Sequence, residues 1–159
     1  MKNHYSRFLL VAIVGLAIGA CGKKPAEPLA APDQTAPAAT TPRSPSPEGA
    51  SVSIISPRDG DTVSSPVKVV FGLQGMTLAP AGDLAPNSGH HHLLVDVAVP
   101  DLGQPIPKDA NHLHFGQAQT ETELPLAAGQ HTLQLVLGDS NHVAHNPPLI
   151  SAPISITVK

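Results

Sequence analysis

Gly89-His90-His91-His92-Leu93-Leu94-Val95-Asp96-Val97-Ala98-Val99 is the stretch on which the fold turns. It reads as a buried β-strand, with His91, Leu93, Val95 and Val97 on one face at a period of two. Three consecutive histidines occupy its leading end. Five more follow in His112, His114, His131, His142 and His145, so eight of the nine histidines fall between residues 90 and 145. Imidazole is the commonest protein metal ligand and the side chain that titrates nearest neutral pH.

Outward from this strand the pattern is of short apolar runs separated by turns. Ser51 to Ser56 alternates through Val52 and Ile54, and Pro57-Arg58-Asp59-Gly60 is a turn in which proline fixes φ and glycine accepts a positive one. Val67, Val69, Phe71 and Leu73 share a face, as do His131, Leu133, Leu135 and Leu137. His112 to Phe115 and Thr120 to Leu124 are shorter candidates. The last strand aligns Ile150, Ala152, Ile154, Ile156 and Val158, and Ala152 before Pro153 suits an edge, where a missing N–H is tolerated. No helical stretch of ten residues appears. About seven strands with turns at short intervals predict an all-β, immunoglobulin-like β-sandwich over residues 51–159. Its core is aliphatic, with Phe71 and Phe115 as its aromatics.

That topology predicts where the histidines go. The loop entering the third strand and the loop leaving the sixth lie at one end of such a sandwich. His90, His91 and His92 then share a pole with Asp139, His142 and His145, and His114 reaches it too. His131 belongs at the opposite pole and is read as structural. His91 faces the apolar side and is read as a core-edge residue. In a strand, residues i and i+2 project to one face about 6.6 Å apart, so His90 with His92 and His112 with His114 form two such pairs. The expected ligand set is His90, His92, His112, His114, His142 and His145, with Asp96 and Asp139 orienting ligand rings from behind. Imidazole donors suit copper or zinc alike. Met76 is a soft donor for Cu(I), and a blue-copper centre is excluded for want of a thiolate. The competing reading of these rings is a metal-free hydrogen-bonding belt in a cell-envelope interaction domain.

The N-terminus carries its own signal. Lys2 and Arg7 precede an apolar run from Phe8 to Ile18, closed by Gly19-Ala20-Cys21. The run is short of the roughly 17 residues that a membrane span needs. It matches a secretory signal over residues 1–20, and Ile18-Gly19-Ala20-Cys21 resembles the bacterial lipobox. That resemblance implies lipidation of Cys21. Gly22 in place of an aspartate points to the outer membrane, periplasmic face. Cys21 is the one cysteine, so no disulfide or thiolate ligand is expected. Residues 21–50, with seven prolines after the cysteine, read as a disordered tether.

Charge excludes some partners. Residues 51–159 hold four basic against nine acidic side chains, a net of −5, which argues against nucleic acid or an anionic membrane surface. No Gly-x-Ser-x-Gly elbow, cysteine nucleophile or paired-carboxylate site is present, so binding is expected rather than catalysis. Metal-based redox chemistry is the one enzymatic option left open.

Three ordered blocks are familiar. Gly89 to Asp96, Asn111-His112-Leu113-His114-Phe115-Gly116-Gln117-Ala118-Gln119-Thr120-Glu121, and Gly129 through Pro148 resemble a bacterial domain-of-unknown-function family of the DUF4399 type. The likeness covers most of residues 65–158. It implies that these histidine blocks define the family and carries no activity with it. His112-Leu113-His114-Phe115-Gly116 also resembles the His-x-His-x-Phe-Gly of copper/zinc superoxide dismutases. One residue is missing from that spacing, and the cysteine pair is absent. Exported copper-resistance sandwiches are the nearer analogy, at the level of fold alone.

Overall fold

The computed structural model describes residues 41–159. The expected signal peptide, Cys21 and the expected tether up to residue 40 lie outside the described residues. Nine strands follow in order: β1 (Ser51–Ser56), β2 (Thr62–Val63), β3 (Val67–Gln74), β4 (Thr77–Leu78), β5 (Ser88–Val95), β6 (His112–Phe115), β7 (Glu121–Leu124), β8 (Gly129–Gly138) and β9 (Ile154–Val158). Seven of these have four residues or more, and the described residues contain no helix. They build two sheets, one in the order β1-β3-β7 and one in the order β2-β9-β8-β5-β4, with β6 also paired to β5. The fold is an immunoglobulin-like β-sandwich.

Period-two alternation decides what lies between the sheets. Val52, Val67, Val69, Phe71 and Leu124 come from the smaller sheet. Leu93, Val95, Phe115, Leu133, Leu135, Leu137, Ile156 and Val158 meet them from the larger one. Leu93, Leu133, Leu135 and Leu137 are wholly buried, and each such side chain contributes about 1.5–3 kcal/mol relative to exposure. His91 joins this core. Its ring lies 5.1 Å from that of Phe71, which itself lies 4.8 Å from Phe115.

The larger sheet is covered on its outer face as well. Leu94 and Val136 point outward from β5 and β8 into a second apolar cluster with Ile106 and Ala144. Val97, Val99, Leu102 and Ile150 pack around it. Both long connections, 96–111 and 139–153, thus fold back over the sheet. All eight residues of β5 are buried in consequence.

Three expectations need correction. Strand β5 ends at Val95, because Asp96 adopts φ 58° and accepts the Thr132 N–H on its carboxylate. Val97 therefore leaves the core face for the outer cluster. Strand β9 starts only at Ile154, after Pro153, and runs between β2 and β8 rather than along an edge. Ile150 sits in the outer cluster instead of in line with Ile154. Finally, residues 41–47, expected as tether, are bonded to the domain. Thr41 N–H donates to Gly103 O at 3.0 Å, Asn146 N–H to Ser44 O at 2.9 Å and Ser46 N–H to Asn146 O at 3.2 Å. The Arg43 guanidinium donates to the Ala144 and His145 carbonyls.

Arg43 is the one charged group in this strap, and it saturates two carbonyls that the sheet does not reach. Replacing it with alanine should destabilise the domain by about 1–3 kcal/mol, the cost of stranding part-buried acceptors. Urea unfolding measures this, and an unchanged midpoint would mean that the strap is not part of the folded unit.

Candidate metal centre

The pairing of β5 with its two neighbours builds the site. His92 stands opposite His114 on β6 and Val136 on β8, while His90 stands opposite Gly138. His90 and His92 point to the outer face with Leu94, because alternate residues share a side. His114 arrives on the same face from β6. The fourth ring, His142, comes from the turn after β8.

That turn is fixed by Asp139. Its Oδ1 accepts the N–H groups of Asn141 (2.9 Å) and Val143 (3.1 Å). Its Oδ2 accepts the Ser44 hydroxyl (2.8 Å) and the Ser44 N–H (3.2 Å). The main chain closes the same loop, with the His142 N–H donating to Asp139 O and the Asp139 N–H to Val143 O, both at 2.9 Å. His142 is held at φ 65°, a left-handed conformation uncommon for a residue other than glycine. The turn throws its ring over the ends of β5 and β8.

Four rings therefore meet from three segments. Centroids of His90, His114 and His142 are 4.8–5.0 Å apart pairwise. His92 lies 4.9 Å from His90, 5.0 Å from His114 and 5.9 Å from His142. One ring nitrogen from each of His90, His114 and His142 falls within 4.8 Å of the others, so the triad can hold a metal ion. Imidazole donors at 2.0–2.1 Å from a tetrahedral ion stand about 3.4 Å apart, so side-chain rotation has to draw the widest pair inward. The His90 and His92 Nε2 atoms are already at 3.0 Å.

The donors are also short of partners. His90 Nδ1, His92 Nδ1 and His114 Nε2 are buried with no hydrogen bond, a state that ordinarily costs about 1–3 kcal/mol per group. Both nitrogens of His91 share it on the core side. Burial, then the neighbouring rings, hold the protonated forms off. His90 is lowered to about 4 and His92 to about 2, and in each burial is the largest cause. His91 is lowered to about 4 by burial alone. His114 is lowered by burial, then by His142 and Lys108. Neutral imidazole is the form that ligates.

Two glycines make the room. A Cβ on Gly138 would stand 2.8 Å from His92 Nε2, and one on Gly116 would stand 2.7 Å from His114 Nε2 and overlap its Cε1. Gly89 likewise leaves no space for a side chain, with Gly138 O at 2.6 Å and His145 Cε1 at 3.0 Å. The rings lie against main chain.

Other expected members stand elsewhere. His112 lies on the same face but opposite Leu94, one pair further along, and its Nδ1 is bound to both Asp109 oxygens at 2.9 and 3.0 Å. His145 is buried beside the cluster, but its Nε2 faces Ser88 O at 3.1 Å and its Nδ1 faces Leu137 O at 3.4 Å. Asp96 is at the far end of β5, about 20 Å along the strand from His90, and binds His131 Nδ1 at 2.7 Å. His131 also meets Ala127 O at 3.0 Å, so this pair closes the opposite pole. Met76 packs against the inter-sheet core. Asp139 does serve the site, through the His142 turn rather than through a ligand ring. Sequence reasoning passed over Ser44, Gly116 and Gly138. The glycines were visible directly after His-x-His-Phe and before Asp139, whereas nothing in the sequence near Ser44 pointed to a carboxylate 95 residues away.

The depressed rings set a pH dependence. In the unfolded chain these histidines titrate near 6.5, and below that pH the unfolded state takes up protons that the folded state refuses. Stability from His90, His91 and His92 is thus fully present above pH 6.5 and lost as pH falls toward about 4 for His90 and His91 and toward about 2 for His92. Each ring contributes a slope of at most about 1.4 kcal/mol per pH unit. His131, raised by Asp96, works the other way and offsets part of one ring's effect. Urea midpoints of the metal-free protein should fall steadily from pH 7 to pH 5. A flat profile would contradict the burial of the three rings.

No curated protein matches the chain. Among solved structures, the fibronectin(III)-like modules of Clostridium thermocellum CbhA are similar at 15% identity and a TM-score of 0.39. That likeness covers 69% of this chain and 45% of that one, so the chain spans under half the length of its solved neighbour. One family's sequence pattern matches residues 69–159, more than half of the chain, and includes all four converging rings. The chain belongs to the family described as a domain of unknown function, DUF4399.

Proposed function

We propose that this chain is an exported, lipid-anchored protein whose sandwich domain binds one copper or zinc ion through His90, His114 and His142. His92 is the fourth ring, either as a further ligand or as the hydrogen-bond partner of His90. The observation that carries the reading is the meeting of imidazoles from three separate segments within reach of one ion, with buried nitrogens of His90 and His114 that lack partners. Polar groups so buried are nearly always satisfied, and an ion satisfies several at once. Copper and zinc are named because every donor is an imidazole nitrogen. Export, anchoring through Cys21 and an outer-membrane site on the periplasmic face rest on the N-terminal signal in the sequence. Capture or buffering of the ion is the role proposed, rather than catalysis.

A metal-free envelope-interaction domain is the second reading. The 3.0 Å His90–His92 contact favours it, since that hydrogen bond forms without an ion. Melting with and without a chelator separates the two, because an ion that binds only the folded state raises the midpoint.

Equilibrium dialysis with elemental analysis should find one equivalent of Cu(II) or Zn(II) per chain. His114→Ala combined with His142→Ala should weaken binding by more than the 10–100-fold (roughly) that loss of an outer hydrogen-bond partner causes. His112→Ala should leave the stoichiometry intact. Equal uptake by the double variant would remove the triad as the site.

A further inference from the structure

The triad leaves a charge to be balanced. All its donors are neutral imidazole nitrogens, and no carboxylate of the described residues belongs to the cluster. Asp139, the nearest acid named in the electrostatics of His90, has both oxygens occupied by Ser44, Asn141 and Val143. Asp139 can offset only part of a divalent ion's charge, from outside the cluster, and charge left uncompensated in a partly buried place is costly.

The surroundings of the rings are unequal. His90 and His92 are sealed beneath, at 0% and 1% exposure, whereas His114 and His142 are only partly buried. His114 lines a groove of about 350 Å³ together with Lys108, Gly116, Gln117 and Gln119. Lys108 is exposed and has no carboxylate partner among the described residues. The Gln119 side-chain oxygen accepts the Gln117 N–H at 2.8 Å, which leaves its amide N–H₂ as the remaining polar end. Gly116 lays its main chain against the His114 ring at the edge of this groove. Cationic and amide groups thus border the side on which the ion would be least enclosed.

We infer that an ion held by His90, His114 and His142 keeps one coordination position open to this groove, and that a small anion binds there, on the ion and beside Lys108. The inference rests on the metal reading above and adds to it a second ligand of defined chemistry. The anion supplies the missing negative charge, Lys108 adds a favourable field, and three histidines plus an exogenous group complete a four-coordinate shell.

Azide is the probe, added to the full chain loaded with Cu(II). Copper uptake is measured first by elemental analysis, and azide binding is then followed by charge-transfer absorption and electron paramagnetic resonance. One copper per chain with saturable azide binding, weakened about fivefold in Lys108→Gln as befits one exposed charge, with copper uptake unchanged, supports the proposal. Copper uptake with no response to azide means that His92 or the protein closes the shell, which overturns the open position and leaves the metal reading standing. Equal azide affinity in Lys108→Gln overturns the groove as its place. Failure to take up copper or zinc at all ends both readings together.

Discussion

Strand β5 is buried on both faces, and everything else about the site follows from that constraint. Its inner face sends His91, Leu93 and Val95 into the core between the sheets. Its outer face sends His90, His92 and Leu94 under two long connections. A strand in that position is normally aliphatic throughout, as buried parallel strands are. Here three imidazoles are desolvated instead, and they remain neutral because protonation inside this layer is expensive. Antiparallel pairing then fixes their neighbours. Register alone sets His92 beside His114, and the end of β8 delivers the His142 turn above them.

Much of this was legible in the sequence. The alternation of Val67 to Leu73 and of His131 to Leu137 marked the core strands, and the triple histidine marked a strand whose ends meet those of β8. His131 and His91 separated themselves by parity and by pole. What escaped was which hydrogen-bond partner, near or distant in sequence, takes each ring. His112 and His114 look equivalent as His-x-His, yet Asp109, three residues upstream, captures the first ring. His145 looks like His142 in Asn-His-Val-Ala-His, yet two carbonyls receive its ring. Asp96, expected behind the ligand rings, is carried by strand geometry to the opposite pole, where it binds His131 and the Thr132 N–H.

The tether boundary was misplaced for a related reason. Residues 41–47 have the composition of a linker, with prolines, serines and little apolar surface. They are ordered by backbone and side-chain hydrogen bonds to segments far along the chain, at Gly103 and at residues 139–147, not by burial of their own side chains. Composition reports the hydrophobic contribution to order and is silent about such docking. Through Ser44 and Asp139, this strap is continuous with the turn that carries His142.

The glycines at 116 and 138 have a consequence for selectivity. Where a ring rests on another side chain, the neighbour can swing away and the space adapts to its content. Where it rests on main chain that is itself hydrogen-bonded, as at Gly138 in β8 and at Gly116, whose carbonyl accepts the Ala81 N–H, accommodation would require breaking those bonds. The chamber around His92 and His114 is therefore stiff, and for the ion proposed above, discrimination would fall to radius as much as to affinity for nitrogen.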